Sequence, residues 1–343
     1  MFRPFTPMFV SLDSKRSRAA IISVRVLIAF LAFATPLSLV ADDAARALLQ
    51  SMHDATRRLN YEGVFIYQRG AQIDSMRLVH KYDGEGEKER LISLSGPARE
   101  VIRDGTLVTC LFADDQEAMV EKNPPRDLIG IGFSAPVESL ISSYRFSIDG
   151  EGRIAGHNAT VVGISPSAED RYGYRLWIDH DSKLLLKSVI LGRGGRTLEQ
   201  VQFTQISILD DISLDRLRPE IGGDGFTWRT DTDSAAIGAA ATGDSSWQVH
   251  WLPSGFELKE SKIQSMATSY MPVSHLVYSD GLAMVSVFVE KLMDGEQALQ
   301  GYSSRGAVNA FSRVADDHQI TVVGEVPLPT IRQIAASVAK VDN

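Results

Sequence analysis

The chain has 343 residues and a formal net charge of −8 at pH 7, and 44% of its residues are hydrophobic. An acidic chain of this kind argues against nucleic acid or a bare anionic membrane as the main partner, because both bind basic surfaces. Its length exceeds what one hydrophobic core usually serves, so we expect two domains.

Residues 1–41 have the pattern of a secretory signal peptide. Basic residues, among them Arg16 and Arg18, precede the apolar run 26–34, and small residues follow up to Ala41. The run is shorter than the roughly 20 apolar residues that cross a bilayer. We therefore expect the chain to be secreted and cleaved before Asp42, with an uncleaved membrane anchor as the alternative.

Residues 42–221 are expected to form a half-open antiparallel β-barrel that begins with a helix. Asp42 or Asp43 would cap this helix, and its apolar residues recur at helical spacing: Ala45, Leu48, Leu49, Met52, Ala55 and Leu59. Since an amphipathic helix must bury its apolar face, we place it on the concave side of the sheet. The predicted strands are 61–68, 74–82, 88–95, 99–103, 107–112, 144–148, 159–165, 172–179, 184–191 and 198–208. Turn residues separate them at short intervals, which is typical of an antiparallel meander.

Residues 222–246 are expected to be a flexible linker, because Gly, Ala, Ser, Thr and Asp dominate the segment and cannot form a core. Residues 247–343 are expected to form a smaller α+β domain. Its predicted strands are 247–251, 256–264, 275–278, 283–291 and 318–324, and residues 306–315 are ambiguous. A closing helix begins near Pro329, and its apolar face consists of Ile331, Ile334, Ala335 and Val338.

The sequence contains no pattern typical of a catalytic or metal site. Its histidines are scattered, and the single Cys110 lies in an apolar run, where a buried and inert thiol is expected. Asp179-His180-Asp181 occupies a predicted hairpin turn, and the glycines of residues 192–195 join two strands instead of leading into a helix. We therefore predict a binding protein without enzymatic activity, cofactor or metal.

Apolar side chains on the first strands are candidates for a ligand-binding groove. In a flat sandwich they would be core, whereas in a half-open sheet they would line a groove suited to acyl chains or an amphipathic peptide. Strand parity, which a one-residue register error reverses, selects the candidates: Phe65, Met76, Leu78, Leu91, Leu94, Leu111, Phe112 and Met119.

Three arginines lie on or beside successive predicted strands: Arg77, Arg90 and Arg103. If they cluster, they would bind a phosphate or carboxylate group of a ligand. The alternative is that each is solvated or paired with a carboxylate on the surface.

Several segments resemble the RseB/MucB family. Residues 59–67 (LNYEGVFIY) and 76–80 (MRLVH) look like the start of its first domain. The hairpin of residues 174–179 (YRLWID) and 184–187 (LLLK) is similar to a signature shared with periplasmic lipoprotein carriers. Residues 251–256 (WLPSGF) resemble the opening of the family's second domain. The resemblance covers essentially the whole mature chain in the same order.

The resemblance implies a periplasmic regulator with a carrier-like half-barrel and a smaller C-terminal domain. Members of this family bind the periplasmic region of a membrane-spanning anti-sigma factor and protect it from proteolysis. Lipopolysaccharide or another acyl lipid would release the bound partner. The alternative is a periplasmic lipid or lipoprotein carrier without a signalling partner. Whether the chain forms a homo-oligomer is left open, as are the residues that contact the partner.

Overall fold

The computed structural model of the protein describes residues 37–122, 136–222, 225–230, 246–264 and 271–341. Residues 41–343 form one compact unit, which contains sheets of twelve, six and two strands. Within the described part of the chain, no helix is long and apolar enough to span a membrane.

The large sheet is built from two antiparallel meanders. The first consists of β1 (Asn60–Arg69), β2 (Gln72–Tyr82), β3 (Glu87–Ser93), β4 (Arg99–Asp104), β5 (Leu107–Phe112) and β6 (Glu117–Lys122). The second consists of β7 (Tyr144–Ile154), β8 (His157–Pro166), β9 (Gly173–Asp179), β10 (Leu185–Leu191) and β11 (Thr197–Leu209). Antiparallel pairing of β1 with β11 joins the meanders. The two edge strands of this sheet are β7 and the short strand of residues 227–230, which pairs with β6. These edge strands do not pair with each other, so the barrel is half-open as predicted.

Helix α1 (Leu37–Arg58) lies against one face of this sheet. Ala45 and Leu49 pack with residues of β7 to β10, whereas Ala55 packs with residues of β1 to β3. Because α1 touches strands of both meanders, the large sheet must curve around it. The predicted position of the helix on the concave side of the sheet is therefore confirmed. The short helix α2 (Val137–Leu140) buries two residues in the same core.

The predicted helix cap is wrong. The helix begins at Leu37, so Asp42 lies within it rather than before it. The Asp42 carboxylate instead accepts a hydrogen bond from the backbone N–H of Phe146 in β7, at 3.2 Å. This contact ties the helix to the edge strand of the sheet.

The segment after β11 crosses the outer face of the sheet, opposite α1. Ile212 and Leu217 pack on Val79 of β2. The chain then forms β12 (Thr227–Thr230), which pairs with β6 in parallel. These four residues were predicted to belong to a flexible linker, whereas they form a strand that extends the large sheet. Residues 231–245 of the predicted linker lie outside the described residues.

The smaller sheet has the strand order β14-β15-β16-β19-β18-β17. Its strands are β14 (Glu257–Gln264), β15 (Val273–Ser279), β16 (Met284–Lys291), β17 (Gly301–Arg305), β18 (Val308–Ala315) and β19 (His318–Gly324). Helix α3 (Leu328–Ser337) covers one face, and its predicted apolar side chains lie in the core. β13 (Trp247–Val249) pairs with β20 (Val338–Lys340) beside this core. The predicted smaller α+β domain is confirmed, although β17 and β20 were not predicted.

Candidate functional site

Most of the predicted groove residues lie on the inner face of the large sheet, which α1 covers. The register pairs Phe65 with Met76 and Leu78 with Leu91, and directly paired residues share a face. Phe65, Leu78 and Leu91 are buried in one cluster, and Met76 packs at its margin. Strand alternation places Phe112 and Met119 on the same face, toward the β6 edge. The inner face therefore carries an apolar surface, which the Arg103–Glu89 ion pair interrupts.

Leu94 and Leu111 do not belong to this surface. Leu111 is paired with Glu100 on the outer face, because adjacent residues of a strand point to opposite sides and Phe112 points inward. Leu94 follows β3 in the outward register and is 47% exposed. These two groove assignments were wrong.

The three predicted anion-binding arginines do not cluster. Arg77 and Arg90 point to the outer face, whereas Arg103 is on the inner face. Arg90 is buried and makes two hydrogen bonds to Glu100, at 2.8 and 3.0 Å. Arg103 pairs with Glu89 at 3.1 Å. Because two of these charges are already balanced by carboxylates, the structure does not form the predicted anion site.

A small cavity lies between the C-terminal end of α1 and the inner face. Tyr61, Glu89, Leu186, Lys187 and Phe203 contribute to its lining, and its volume is about 40 Å³. Sites for small molecules usually begin near about 300 Å³. Because this cavity is too small, an acyl chain fits here only if α1 moves away from the sheet. Burial also lowers the pKa of Lys187, whose ammonium group lies 4.8 Å from the centre of the Trp177 ring.

A second region lies where the large sheet meets the small one. Arg171, in the loop before β9, places Nη1 at 2.7 Å from Oδ2 of Asp280, in the β15–β16 turn. Nη2 of Arg171 donates to the carbonyl oxygen of Ser254 at 2.6 Å, and the Tyr144 hydroxyl donates to Asp280 Oδ2 at 2.9 Å. Burial, together with the nearby Tyr174 and Asp280, raises the pKa of Tyr144. The tyrosine thus stays a neutral donor to the carboxylate.

Glu199 of β11 makes another contact between the two sheets. Its Oε1 accepts a hydrogen bond from the backbone N–H of Ala307 at 2.8 Å, and Oε2 accepts one from the Tyr67 hydroxyl at 2.5 Å. Burial and this hydrogen bond raise the pKa of Tyr67. Close by, the Asn309 amide donates to the Tyr172 hydroxyl at 2.8 Å. Buried polar groups therefore fix the arrangement of the two sheets.

A cleft of about 1070 Å³ opens beside these contacts, lined by both halves of the molecule. Trp251 is half-buried and supplies apolar surface at its wall. Arg193 and Arg196 lie on the glycine-rich loop between β10 and β11. This volume is at the upper end of the range for ligand sites. That loop was predicted only as a connection between two strands, and the cleft was not predicted.

Two family models match the sequence. The MucB/RseB N-terminal domain matches residues 44–221, and the MucB/RseB C-terminal domain matches residues 241–339. The chain belongs to the MucB/RseB family. The resemblance drawn from the sequence segments is thereby confirmed.

Curated members of the MucB/RseB family align with nearly the whole chain. The sigma factor AlgU regulatory protein MucB of Pseudomonas aeruginosa is 32% identical over 315 residues, 89% of this chain and 93% of that protein. The sigma-E factor regulatory protein RseB of Escherichia coli K12 is 30% identical over 312 residues, 87% of this chain and 91% of that protein.

Solved structures of the family share the fold. The complex of Pseudomonas aeruginosa MucA and MucB contains a chain that is 30% identical, with a TM-score of 0.71, covering 88% of this chain and all of that one. A crystal structure of MucB is 29% identical, with a TM-score of 0.62, covering 87% of this chain and 98% of that one. This chain therefore has the same overall fold as these MucB structures.

Proposed function

We propose that this protein regulates an extracytoplasmic sigma factor by binding the periplasmic region of a transmembrane anti-sigma factor. The observation that carries the proposal is alignment along 88% of the chain with a family member solved in complex with MucA. The relatives are named as sigma factor regulatory proteins, which favours a binding role over catalysis. The secretory pattern of residues 1–41 supports a periplasmic location, where that region of the partner lies.

The cleft between the two sheets is the binding site that we propose for the partner. Its volume of about 1070 Å³ accommodates an extended segment, and both sheets line it. The half-buried Trp251 offers an apolar anchor, and the exposed Arg196 offers a charged donor at the rim. A segment held there is withdrawn from solvent, so a protease has no access to its backbone.

We propose that an acyl lipid, such as the lipid part of lipopolysaccharide, binds the inner face and releases the partner. Its entry displaces α1, because the present cavity is only about 40 Å³. Ala307 of the small-sheet half packs in the same core as Ala45 and Leu49 of α1. Displacement of α1 thus disturbs the neighbouring contact between Ala307 and Glu199. The lipid shifts the population by its different affinities for the two arrangements.

The second candidate is a periplasmic lipid or lipoprotein carrier, and the apolar inner face favours it. A carrier needs only the half-barrel, whereas this chain ties a second sheet to it through the buried Arg171–Asp280 pair. The two functions make different predictions. A carrier binds lipid and ignores the anti-sigma factor, whereas a regulator binds both and couples them.

Proteolytic protection tests the proposed regulator. The periplasmic segment of the anti-sigma factor from the same organism is incubated with its initiating protease, with and without this protein. We expect this protein to slow cleavage, and lipopolysaccharide to restore the original rate. If this protein binds lipid but leaves the cleavage rate of the anti-sigma segment unchanged, the carrier function is supported instead. Analytical ultracentrifugation of the same sample determines whether the protein is a homo-oligomer.

A further inference from the structure

Strand β17 forms an exposed edge of the small sheet. Among the described strands it pairs with β18 alone, and all five of its residues are exposed. Residues 306–307 make a two-residue turn, so Arg305 and Val308 are the closing hydrogen-bonded pair. Hydrogen-bonded and non-hydrogen-bonded pairs alternate in an antiparallel ladder. The N–H and C=O groups of Tyr302 and Ser304 therefore point away from β18.

The opposite edge of the same sheet is protected against pairing. Strand β14 carries charges of both signs along its exposed length: Glu257, Lys259, Glu260 and Lys262. Charged side chains on an edge strand discourage the addition of another strand. β17 has only one charged residue, Arg305, and its Tyr302 side chain is 63% exposed. Leu299, just before the strand, is 69% exposed.

Positive charge flanks the edge of β17 on both faces of the sheet. The Arg332 guanidinium of α3 lies 5.1 Å from the centre of the Tyr302 ring, on the helix-covered face. Arg305 belongs to the other face by strand alternation, and it donates to the side chain of Gln72. Among the described residues, no carboxylate forms an ion pair with Arg305 or Arg332. These two arginines give the edge a local positive charge, which attracts acidic segments.

We propose that β17 is a docking site for an extended acidic peptide, which adds to the small sheet as a further strand. Backbone hydrogen bonds to Tyr302 and Ser304 supply the affinity, and acidic side chains beside Arg332 and Arg305 supply the selectivity. This inference goes beyond the proposed function, since any extended acidic segment meets the same edge. Ser304 also lines the interdomain cleft, so the added strand runs along its mouth.

A titration with synthetic peptides tests the proposal. The probe is a fluorescein-labelled decapeptide of alternating Asp and Val, followed by fluorescence anisotropy with the purified protein at low salt. The control peptides replace every Asp with Lys or every Val with Pro. We expect the acidic peptide to bind about tenfold more tightly than the lysine peptide. We expect the proline peptide to bind at least as weakly as the lysine peptide, because every second residue lacks a backbone N–H and its ring disfavours strand pairing.

Paired variants separate the backbone edge from the side chains. Tyr302→Pro removes an outward N–H that makes no ladder bond, and we expect it to weaken acidic-peptide binding about tenfold. Tyr302→Ala keeps the N–H and serves as the matched control, with a smaller effect. The double variant Arg305→Glu, Arg332→Glu leaves the backbone intact, and we expect it to prefer the lysine peptide. If Tyr302→Pro does not fold, the peptide preference of this double variant alone decides whether the proposal holds.

Three results would overturn the proposal. The first is equal affinity for the acidic and lysine peptides. The second is a Tyr302→Pro variant that folds and binds the acidic peptide as tightly as the unmodified chain. The third is a dimer, seen by sedimentation, that Tyr302→Pro converts to a monomer while the acidic peptide does not bind. That last result would make a second copy of this chain the occupant of the edge.

Discussion

Arg171 and Asp280 form an ion pair whose side chains are 2% and 1% exposed, and the pair joins the large sheet to the small one. The guanidinium of Arg171 also lies 5.4 Å from the ring centres of Tyr144 and Phe256. Oδ1 of Asp280 accepts the backbone N–H groups of the β15–β16 turn. One carboxylate thus organises a turn and anchors the neighbouring domain.

Asp280→Asn should destabilise the protein by about 2 kcal/mol, because it removes the buried one of the two carboxylates that pair with Arg171 and leaves only Asp170, at 2.8 Å. The amide retains an oxygen for the turn, so the loss reports the contact between the sheets. Urea unfolding measures the change. Asp294→Asn, at an exposed position, is the control and should change the unfolding free energy by less than about 0.5 kcal/mol. Equal stability of the two variants would contradict this account of the pair.

Glu100→Gln should loosen the segment that crosses the outer face. Glu100 holds Arg90 and also accepts the backbone N–H of Glu220, at 3.1 and 3.2 Å. We expect the free energy of unfolding, measured with urea, to fall by about 3 kcal/mol. We also expect faster amide hydrogen exchange in residues 211–220. Arg77→Ala removes an exposed arginine from the same face and should affect neither measurement; unchanged exchange in Glu100→Gln would refute the role of this pair.

The large sheet could be predicted from sequence because turn residues punctuate strands that pair mainly with their neighbours along the chain. β6, β12 and β17 were not predicted. All three are short and rich in polar residues, and β12 pairs with the distant β6. Strand parity placed Phe65, Met76 and Leu78 on the inner face, where they lie in the structure, and ligand binding at that face stays a prediction. Strand parity failed at Leu111, which lies on the outer face, because a shift of one residue along a strand moves a side chain to the opposite face.

The contacts between the sheets left no local signal in the sequence. Arg171 and Asp280 are 109 residues apart, and Glu199 lies 108 residues before Ala307. Each is an ordinary charged or small residue in its own segment. Only the three-dimensional arrangement shows that they are buried together.

Met76→Asp should weaken lipid binding without unfolding the protein. Met76 packs at the margin of the inner-face cluster, so a carboxylate there opposes an acyl chain but remains partly solvated. Binding of a fluorescent fatty acid measures the effect, which we expect to be about tenfold or more in Kd. Leu94→Asp, exposed on the outer face, is the matched control. Leu78 is fully buried and is unsuitable, since aspartate there would unfold the domain. Equal lipid affinity of both variants would exclude the inner face as the lipid site.

The small sheet should lose stability as the pH falls from about 6.5 to about 4. Burial, with a smaller contribution from Lys262, lowers the pKa of His275 from 6.5 to about 4. Between these values the unfolded chain binds a proton at His275 and the folded chain does not, so acid favours unfolding. Thermal unfolding at pH 7 and pH 5 should show a smaller pH dependence for His275→Gln than for the unmodified chain. His250→Gln, at an exposed position, should keep the full dependence. An identical pH dependence in the two variants would contradict the assignment.

The central claim is that this chain binds the periplasmic region of an anti-sigma factor in a manner coupled to lipid. Isothermal titration of the purified protein with that region, with and without lipopolysaccharide, tests it most directly. We predict saturable binding of the region and a clear loss of affinity when lipopolysaccharide is present, as linkage between two sites requires. Absence of binding to the region, by a protein that still binds lipopolysaccharide, would contradict the account and leave a lipid carrier.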